Sequence, residues 1–286
     1  MGNFYQVTEW KEGYFRIGSA ENVFNELIVG TEKALLLDTG YGFGDLADTV
    51  KEITDLPLIV VNSHGHLDHS CGNYQFDVPI FLHPADMELC RSHNSEEMRA
   101  QAARQARETL DYATGQKRDI LPEGFDEAVY GAAGCGNLVP LEEGQIFELG
   151  GKNLEVVSLP GHTRGSIGLL EREDEILFVG DAINAHLWLF LPEALKLSDY
   201  IATLRKARQL PFSKMVQAHN PIVEEKDVLT GYLETAEKLD INKGVPFPNP
   251  LFPEEKATMC VREGFSPMDF GKPGFASIVI SQEHLG

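Results

Sequence analysis

Apolar and polar positions change their period several times along the chain. Tyr14 to Gly18, Val23 to Val29 and Ala34 to Leu37 are short β-type runs punctuated by Gly18, Gly30 and Gly40. From Asp45 to Ile53 the period lengthens, placing Leu46, Val50 and Ile53 on one helical face. Leu58 to Asn62 (LIVVN) is a continuous apolar run, which predicts a strand buried on both sides. Ile80 to Leu82 predicts another short strand, and Ser95 to Ala113 a helix with Asn94 as its N-cap and Glu97 three positions on. A Gly-rich stretch, Gly131 to Gly136, leads into a second β-rich half. Its strands are predicted at Ile146 to Leu149, Leu154 to Leu159, Ile167 to Leu170 and Ile176 to Val179. Helices over Leu197 to Gln209 and Lys226 to Leu239 flank one more strand, Met215 to Ala218. Pro246, Pro248, Pro250 and Pro253 predict an extended wrap over the surface, followed by a last strand at Ile278 to Ile280. Two β-rich halves, each with helices, predict an α/β protein in which two packed sheets are covered by helices. No linker-like or repeated segment interrupts the pattern, so residues 1–286 read as a single domain.

Composition adds limits. With 43% hydrophobic and 24% charged residues in 286, the chain has material for a sizeable core, which excludes a disordered or collagen-like protein. Lys and Arg total 24 against 44 Asp and Glu, a formal charge of −20. Such a surface repels phosphate backbones and anionic lipid, so no nucleic-acid partner and no membrane partner is expected, and the partner expected is a small-molecule substrate. Apolar stretches such as Leu187 to Leu191 fall far short of the roughly 20 residues of a membrane span. The opening residues lack the basic and apolar regions of a signal peptide, and Gln6 departs from the myristoylation pattern. Cys71, Cys90, Cys135 and Cys260 form no CxxC pair and read as free thiols in a reducing, cytoplasmic setting.

The chemistry concentrates after the LIVVN strand, where the chain reads Ser63, His64, Gly65, His66, Leu67, Asp68, His69. Nine histidines in 286 residues average about one per 32, so three within six positions is a strong local excess. In extended backbone residues i and i+2 point the same way, so His64 and His66 can reach one ion while a turn through Leu67 sends Asp68 and His69 towards a second. Three more candidates follow strands: His162 in Pro160-Gly161-His162-Thr163-Arg164-Gly165-Ser166, Asp181 after Gly180, and His219 after Met215 to Ala218. Ligand-type residues thus stand at the ends of four core strands, the way a sheet scaffold presents a site on its rim.

The HGHLDH, PGHTRGS, VGD and AHN segments, in this order, together with Asp38-Thr39-Gly40 after ALLL, resemble the metallo-β-lactamase fold superfamily. The resemblance runs from about Val23 to His219. It implies a four-layer αββα sandwich with a dinuclear metal site along one edge. On that resemblance His64, His66 and His162 correspond to the ligands of the first metal, and Asp68, His69 and His219 to those of the second. Asp181 would bridge both, and Asp38 would orient a ligand without binding metal. A helical insert at about 84–136 and a C-terminal extension at about 244–286 lie outside what compact relatives need. The insert is expected to be a lid, a homodimer contact or a solvated outer helix. His66 stands where the iron-binding flavodiiron relatives carry glutamate, which favours zinc, with iron and manganese left open. Asp181, in place of the cysteine of antibiotic-hydrolysing members, resembles the glyoxalase II, lactonase and nuclease-like branches.

Two divalent ions about 3.5–4 Å apart can share a hydroxide at neutral pH, which removes the need for a Ser or Cys nucleophile. The expected function is therefore metal-dependent hydrolysis of a small ester, thioester or lactone, with Asp68 as the catalytic candidate that orients the nucleophile or shuttles a proton, its ligand role alone being the alternative. The alternatives are a phosphodiesterase or nuclease, an iron-dependent sulfur dioxygenase-type oxidoreductase, and a non-catalytic metal-binding module. Cys71 reads as a small buried hydrophobe, and His83, His93, His186 and His284 as structural or surface residues. Leu187 to Phe190 is expected as a core strand or helix turn, or as an apolar wall of the substrate pocket. Arg99, Arg104 and Arg107, diluted by Glu96, Glu97 and Glu108, read as a charge-mixed solvated face.

Overall fold

The computed structural model describes residues 4–111, 116–249 and 254–286. The expected helix end at Ala113 and the prolines Pro250 and Pro253 lie outside the described residues. The chain divides into two compact units, Met1–Asn153 and Leu154–Gly286. Each is a mixed α/β structure, as the pattern of periods predicts. No helix among the described residues is long and apolar enough to cross a membrane.

The first unit is built on a seven-stranded sheet. Gln6–Lys11, Tyr14–Gly18, Phe24–Val29 and Ala34–Leu37 run as an antiparallel meander. Ala34–Leu37, Leu58–Val61, Pro79–Leu82 and Asn137–Pro140 then pair in parallel. Apart from the more exposed edge strand Asn137–Pro140, the parallel strands are the ones that read as apolar runs: Leu35, Leu36, Val60, Val61, Ile80 and Leu82 are all fully buried. Helix Leu46–Ile53 starts one residue later than its apolar period because Asp45 is its cap, accepting from Asp48 N at 2.9 Å. Its Leu46 and Val50 enter the core, and Ile53 packs against it.

The region 84–136 holds helices Met87–His93, Glu96–Ala106 and Glu127–Ala132 and a short hairpin of Thr109–Asp111 with Gln116–Arg118. Two expectations are corrected there. The helix expected from Ser95 to Ala113 ends at Ala106, and its cap is Ser95, whose Oγ accepts from Met98 N, not Asn94. Arg99 does not lie on a solvated face: it is fully buried, donating to Cys71 O at 2.9 Å, Asn94 Oδ1 at 2.5 Å and Gly134 O at 3.2 Å. Its guanidinium also lies over the rings of Tyr74 and Tyr130. Arg104 is exposed, and Arg107 is exposed and paired with Asp119 and Glu127, as the charge-mixed reading expects.

In the second unit, Asn153–Ser158 pairs antiparallel with Ile167–Glu171, which pairs antiparallel with Ile176–Gly180. Ile176–Gly180 pairs in parallel with Lys214–Gln217. Helices Leu197–Gln209 and Val228–Glu237 cover this core with Tyr200, Leu204, Leu229 and Leu233. The C-terminal segment is extended and largely exposed at Pro246, and the last strand falls at Ser277–Ile280, as expected; its pairing into a sheet was not expected. Val245–Phe247, Ala257–Val261 and Ser277–Ile280 join His186–Leu189 in a four-stranded sheet. Pro246 is accommodated because its strand is an edge, where a missing N–H costs no ladder bond. His186–Leu189 alternates in burial, Leu187 and Leu189 entering the core while Trp188 stays partly exposed, so the run is a strand with one face inward.

Candidate metal centre

In the first unit the ligand-type residues follow Leu58–Val61 directly. Past the strand end the chain bends over residues 63–65 and does not stay extended as expected, and Leu67–Ser70 then forms a short helix that carries Asp68 and His69. One carboxylate organises the segment. Asp38, at the end of Ala34–Leu37, takes a left-handed conformation (φ 64°), which Asp tolerates better than most residues. From there Oδ1 accepts the N–H of Ser63 at 2.7 Å, and Oδ2 accepts the Ser63 hydroxyl at 2.8 Å and His69 Nδ1–H at 2.8 Å.

These bonds determine which ring nitrogens carry protons. The Ser63 hydroxyl spends its hydrogen on Asp38, so its oxygen accepts from His64 Nδ1–H at 3.0 Å. Both His64 and His69 are thereby held with Nε2 as the lone-pair nitrogen. His64 Nε2 lies 3.0 Å from His66 Nδ1, and His69 Nε2 lies 3.4 Å from Asp68 Oδ2. Two nitrogens bound tetrahedrally at zinc distances stand about 3.3 Å apart, so the donor types and spacings fit a metal ion. His64, His66 and His69 are buried and Asp68 is partly exposed.

The loop is held by residues that pattern alone does not reveal. Thr39 N donates to His69 O at 2.9 Å, Asn62 Nδ2 donates to the same oxygen at 3.0 Å, and Asn73 Nδ2 donates to Asn62 Oδ1 at 2.8 Å. Asp86, only 1% exposed, accepts the Gly65 N–H through Oδ2 at 3.0 Å. It sits in a short 3-10 turn with no period to mark it. His93, read as structural or surface, is buried and stacks on His66 with ring centroids 5.1 Å apart and planes 14° apart.

The second unit carries the other three candidates. The turn bearing His162 closes on itself through Gly161 N to Thr163 O at 2.9 Å and Thr163 N to Ser166 Oγ at 3.1 Å. Gly161 is required because a Cβ there would stand 2.8 Å from the Tyr200 ring. His162 Nδ1 donates to the carbonyl of Trp188 at 2.9 Å, and a carbonyl can only accept, so Nε2 is again the lone-pair nitrogen. Asp181 follows an irregularity in the pairing of Ile176–Gly180 with Lys214–Gln217, where Gly180 takes φ 51°. Ala218 N donates to Gly180 O at 3.1 Å, bringing the two strand ends together. Asp181 Oδ2 consequently lies 3.2 Å from His219 Nε2 and 3.8 Å from His162 Nε2, between two imidazoles as a shared ligand would be.

Apart from His186, the remaining titratable candidates are structural. Cys71 is fully buried, and burial pushes its thiol up to about 11, which disfavours a nucleophile. His83 accepts from Ala85 N, and His284 is paired with Ser281. His186 is paired with Ser277 Oγ at 2.7 Å, and burial, helped by neighbouring His219, pulls its pKa down to about 4.

The acyl-coenzyme A thioesterase MBLAC2 of Homo sapiens is 28% identical over 215 residues, covering 70% of this chain and 71% of that protein. The hydroxyacylglutathione hydrolase GloC of Haemophilus influenzae is 29% identical over 167 residues, 55% of this chain and 65% of its own. Among solved structures, a metallo-beta-lactamase from Pontibacter korlensis superposes with a TM-score of 0.56 at 17% identity, covering 82% of this chain and 100% of that one. The sec-alkylsulfatase Pisa1 from Pseudomonas sp. gives 0.61 at 15% identity over 82% of this chain, which spans only 42% of that longer protein. At those identities the likeness is one of fold. Residues 26–219 match the family model described as the metallo-beta-lactamase superfamily, and the chain belongs to that superfamily.

Proposed function

We propose that this protein is a metal-dependent hydrolase that cleaves a thioester. The observation that carries the reading is the fixing of His64, His69 and His162 with Nε2 as the ligating nitrogen, by Ser63, Asp38 and the Trp188 carbonyl. Such bonds to the non-ligating nitrogen orient metal-binding imidazoles and raise their basicity. Thioester chemistry is favoured over ester, lactone and phosphodiester because two of the relatives are named acyl-coenzyme A thioesterase and hydroxyacylglutathione hydrolase.

In this reading His64, His66 and His162 hold one divalent ion, Asp68, His69 and His219 a second, and Asp181 both. Zinc suits the imidazole-rich set, and iron or manganese would be accepted by the same donors. Bound there, the ions would lower the pKa of water to about 7 and polarise the carbonyl as Lewis acids. Asp38 keeps His64 and His69 in the binding tautomer, and Asp86 fixes the backbone between His64 and His66. Asp68, partly exposed beside His69, would hold the proton released from water on the carboxylate oxygen it does not offer to the ion and pass it to the departing thiolate. Water adds to the acyl carbon, the C–S bond breaks, and a carboxylic acid and a thiol leave.

A substrate panel tests this: an acyl thioester, an ester, a lactone, a phosphodiester and a β-lactam offered to zinc-reconstituted protein. Thioester cleavage that disappears on chelation and in His64→Ala is the expected result. Turnover that survives chelation, or that is confined to the phosphodiester, would overturn the proposal.

A further inference from the structure

Strand His186–Leu189 has an outward face made by His186 and Trp188, both partly exposed, while Leu187 and Leu189 enter the core. The strand meets the candidate metal centre through the Trp188 carbonyl, which accepts His162 Nδ1–H at 2.9 Å. Two positions before Trp188, His186 stands opposite Ser277 in the parallel pairing with Ser277–Ile280, and its Nδ1 lies 2.7 Å from Ser277 Oγ. That hydroxyl belongs to a residue 1% exposed and has no other partner among the described residues. A buried O–H left without an acceptor is costly, so the hydroxyl donates to Nδ1, and the neutral imidazole carries its proton on Nε2. Nε2–H has no protein partner among the described residues and is open to solvent. Three rings surround the imidazole: Phe247, Phe270 and Trp188, with centroids 5.5, 5.6 and 6.4 Å away. Phe270 is 67% exposed, so this collar faces outward.

We propose that His186 Nε2–H is a substrate-binding donor, which holds an oxygen of the substrate's acyl half while Trp188, Phe247 and Phe270 take its hydrocarbon. Ser277 touches no substrate in this arrangement: it is a positioning residue that sets the tautomer through Nδ1. An apolar wall with one well-placed polar group is the usual make-up of a small-molecule site. Charge decides which half of a thioester belongs there. The basic side chains of the neighbouring segment are paired elsewhere, Arg262 with Gly274 O and Glu234, and Lys272 with Asp269. An anionic group finds no cation to meet it, and a neutral N–H among aromatic rings suits an uncharged acyl chain better than a charged thiol. The strand that carries the donor also orients His162, so an acyl group lying on it approaches the candidate metal centre. The fixed donor and its collar stand on the geometry alone, whereas the assignment of the acyl half rests on the thioester hydrolase proposed above.

The test titrates N-methyloctanamide, an uncharged chain with one amide, into the full chain, both zinc-loaded and metal-free. Trp10→Phe leaves Trp188 as the sole indole of the two tryptophans, and its emission reports binding. Saturable binding is expected in both forms, weakened about ten-fold in His186→Leu and restored in His186→Gln, whose side chain also ends in an N–H donor. Imidazole nitrogen shifts should show His186 protonated at Nε2 in the unaltered chain and mixed tautomers in Ser277→Ala. With zinc-loaded protein, Phe270→Ala should lower the octanoyl-to-acetyl ratio of thioester kcat/KM about ten-fold. No binding by the unaltered chain would overturn the subsite. Equal affinity in His186→Leu, or a ring protonated at Nδ1, would overturn the donor, and an unchanged tautomer in Ser277→Ala would remove Ser277 from its positioning role. An unchanged octanoyl preference in Phe270→Ala would overturn the acyl assignment. Absence of thioester turnover in the unaltered chain would count against the hydrolase, and the amide titration would still decide the subsite.

Discussion

Asp38 Oδ2 accepts the Nδ1–H of His69 at 2.8 Å, and both side chains are buried. The same oxygen takes the Ser63 hydroxyl that orients His64, so one carboxylate governs two candidate ligands. Asp38→Asn keeps the left-handed backbone available but gives up the charge and one acceptor. It is expected to weaken zinc binding by about 10–100-fold with the fold retained. Competition with a chromophoric chelator measures this, and unchanged affinity would remove Asp38 from its orienting role.

Gly65 lies against Asp86 and Cys90, where an added Cβ would come within 2.7 Å of a backbone oxygen. Gly65→Ala is expected to cost about 1–3 kcal/mol of stability through forced backbone movement. Denaturant unfolding of the metal-free protein reads it. An undisturbed midpoint would mean that helix Met87–His93 does not press on the loop.

Arg99 satisfies the carbonyls of Cys71 and Gly134 and the side chain of Asn94 from a fully buried position. Arg99→Met removes the charge but leaves those acceptors unmet, so a loss on the order of 3 kcal/mol is expected by the same unfolding measurement. A loss typical of a surface substitution, within about 0.5 kcal/mol, would contradict its buried role.

What the sequence made legible, and what it did not, follows from where periodicity carries information. His64 and His66 are readable because a buried strand ends beside them, although a bend over residues 63–65, and not strand alternation, brings His64 Nε2 within 3.0 Å of His66 Nδ1. Gln6–Lys11 escaped notice because five of its six residues are exposed, leaving no apolar alternation to mark a strand. Asp86 lies in a three-residue turn and Arg99 on a helix whose surroundings come from residues as distant as Tyr130. Their roles depend on tertiary packing that no local spacing encodes. The sheet at the C-terminal segment was not legible for a related reason, because it is completed by His186–Leu189, about 90 residues earlier in the chain, and its edge position tolerates Pro246.

His186 supplies the pH dependence. Burial lowers its pKa from the ordinary 6.5 to about 4 in the folded chain. The stability this contributes is present above about pH 6.5 and is lost as pH falls towards 4, because only the unfolded chain takes up the proton in that window. The loss is at most about 3 kcal/mol. His186→Asn in metal-free protein should flatten that fall, as followed by unfolding at pH 7, 5.5 and 4.5. An identical pH profile in the variant would contradict it.

Isothermal titration of zinc into chelator-stripped protein addresses the seven candidate ligands most directly. Two ions bound per chain are expected, with one lost in His66→Ala and both weakened in Asp181→Ala. Absence of zinc uptake by the unaltered chain, or equal uptake by both variants, would contradict the account.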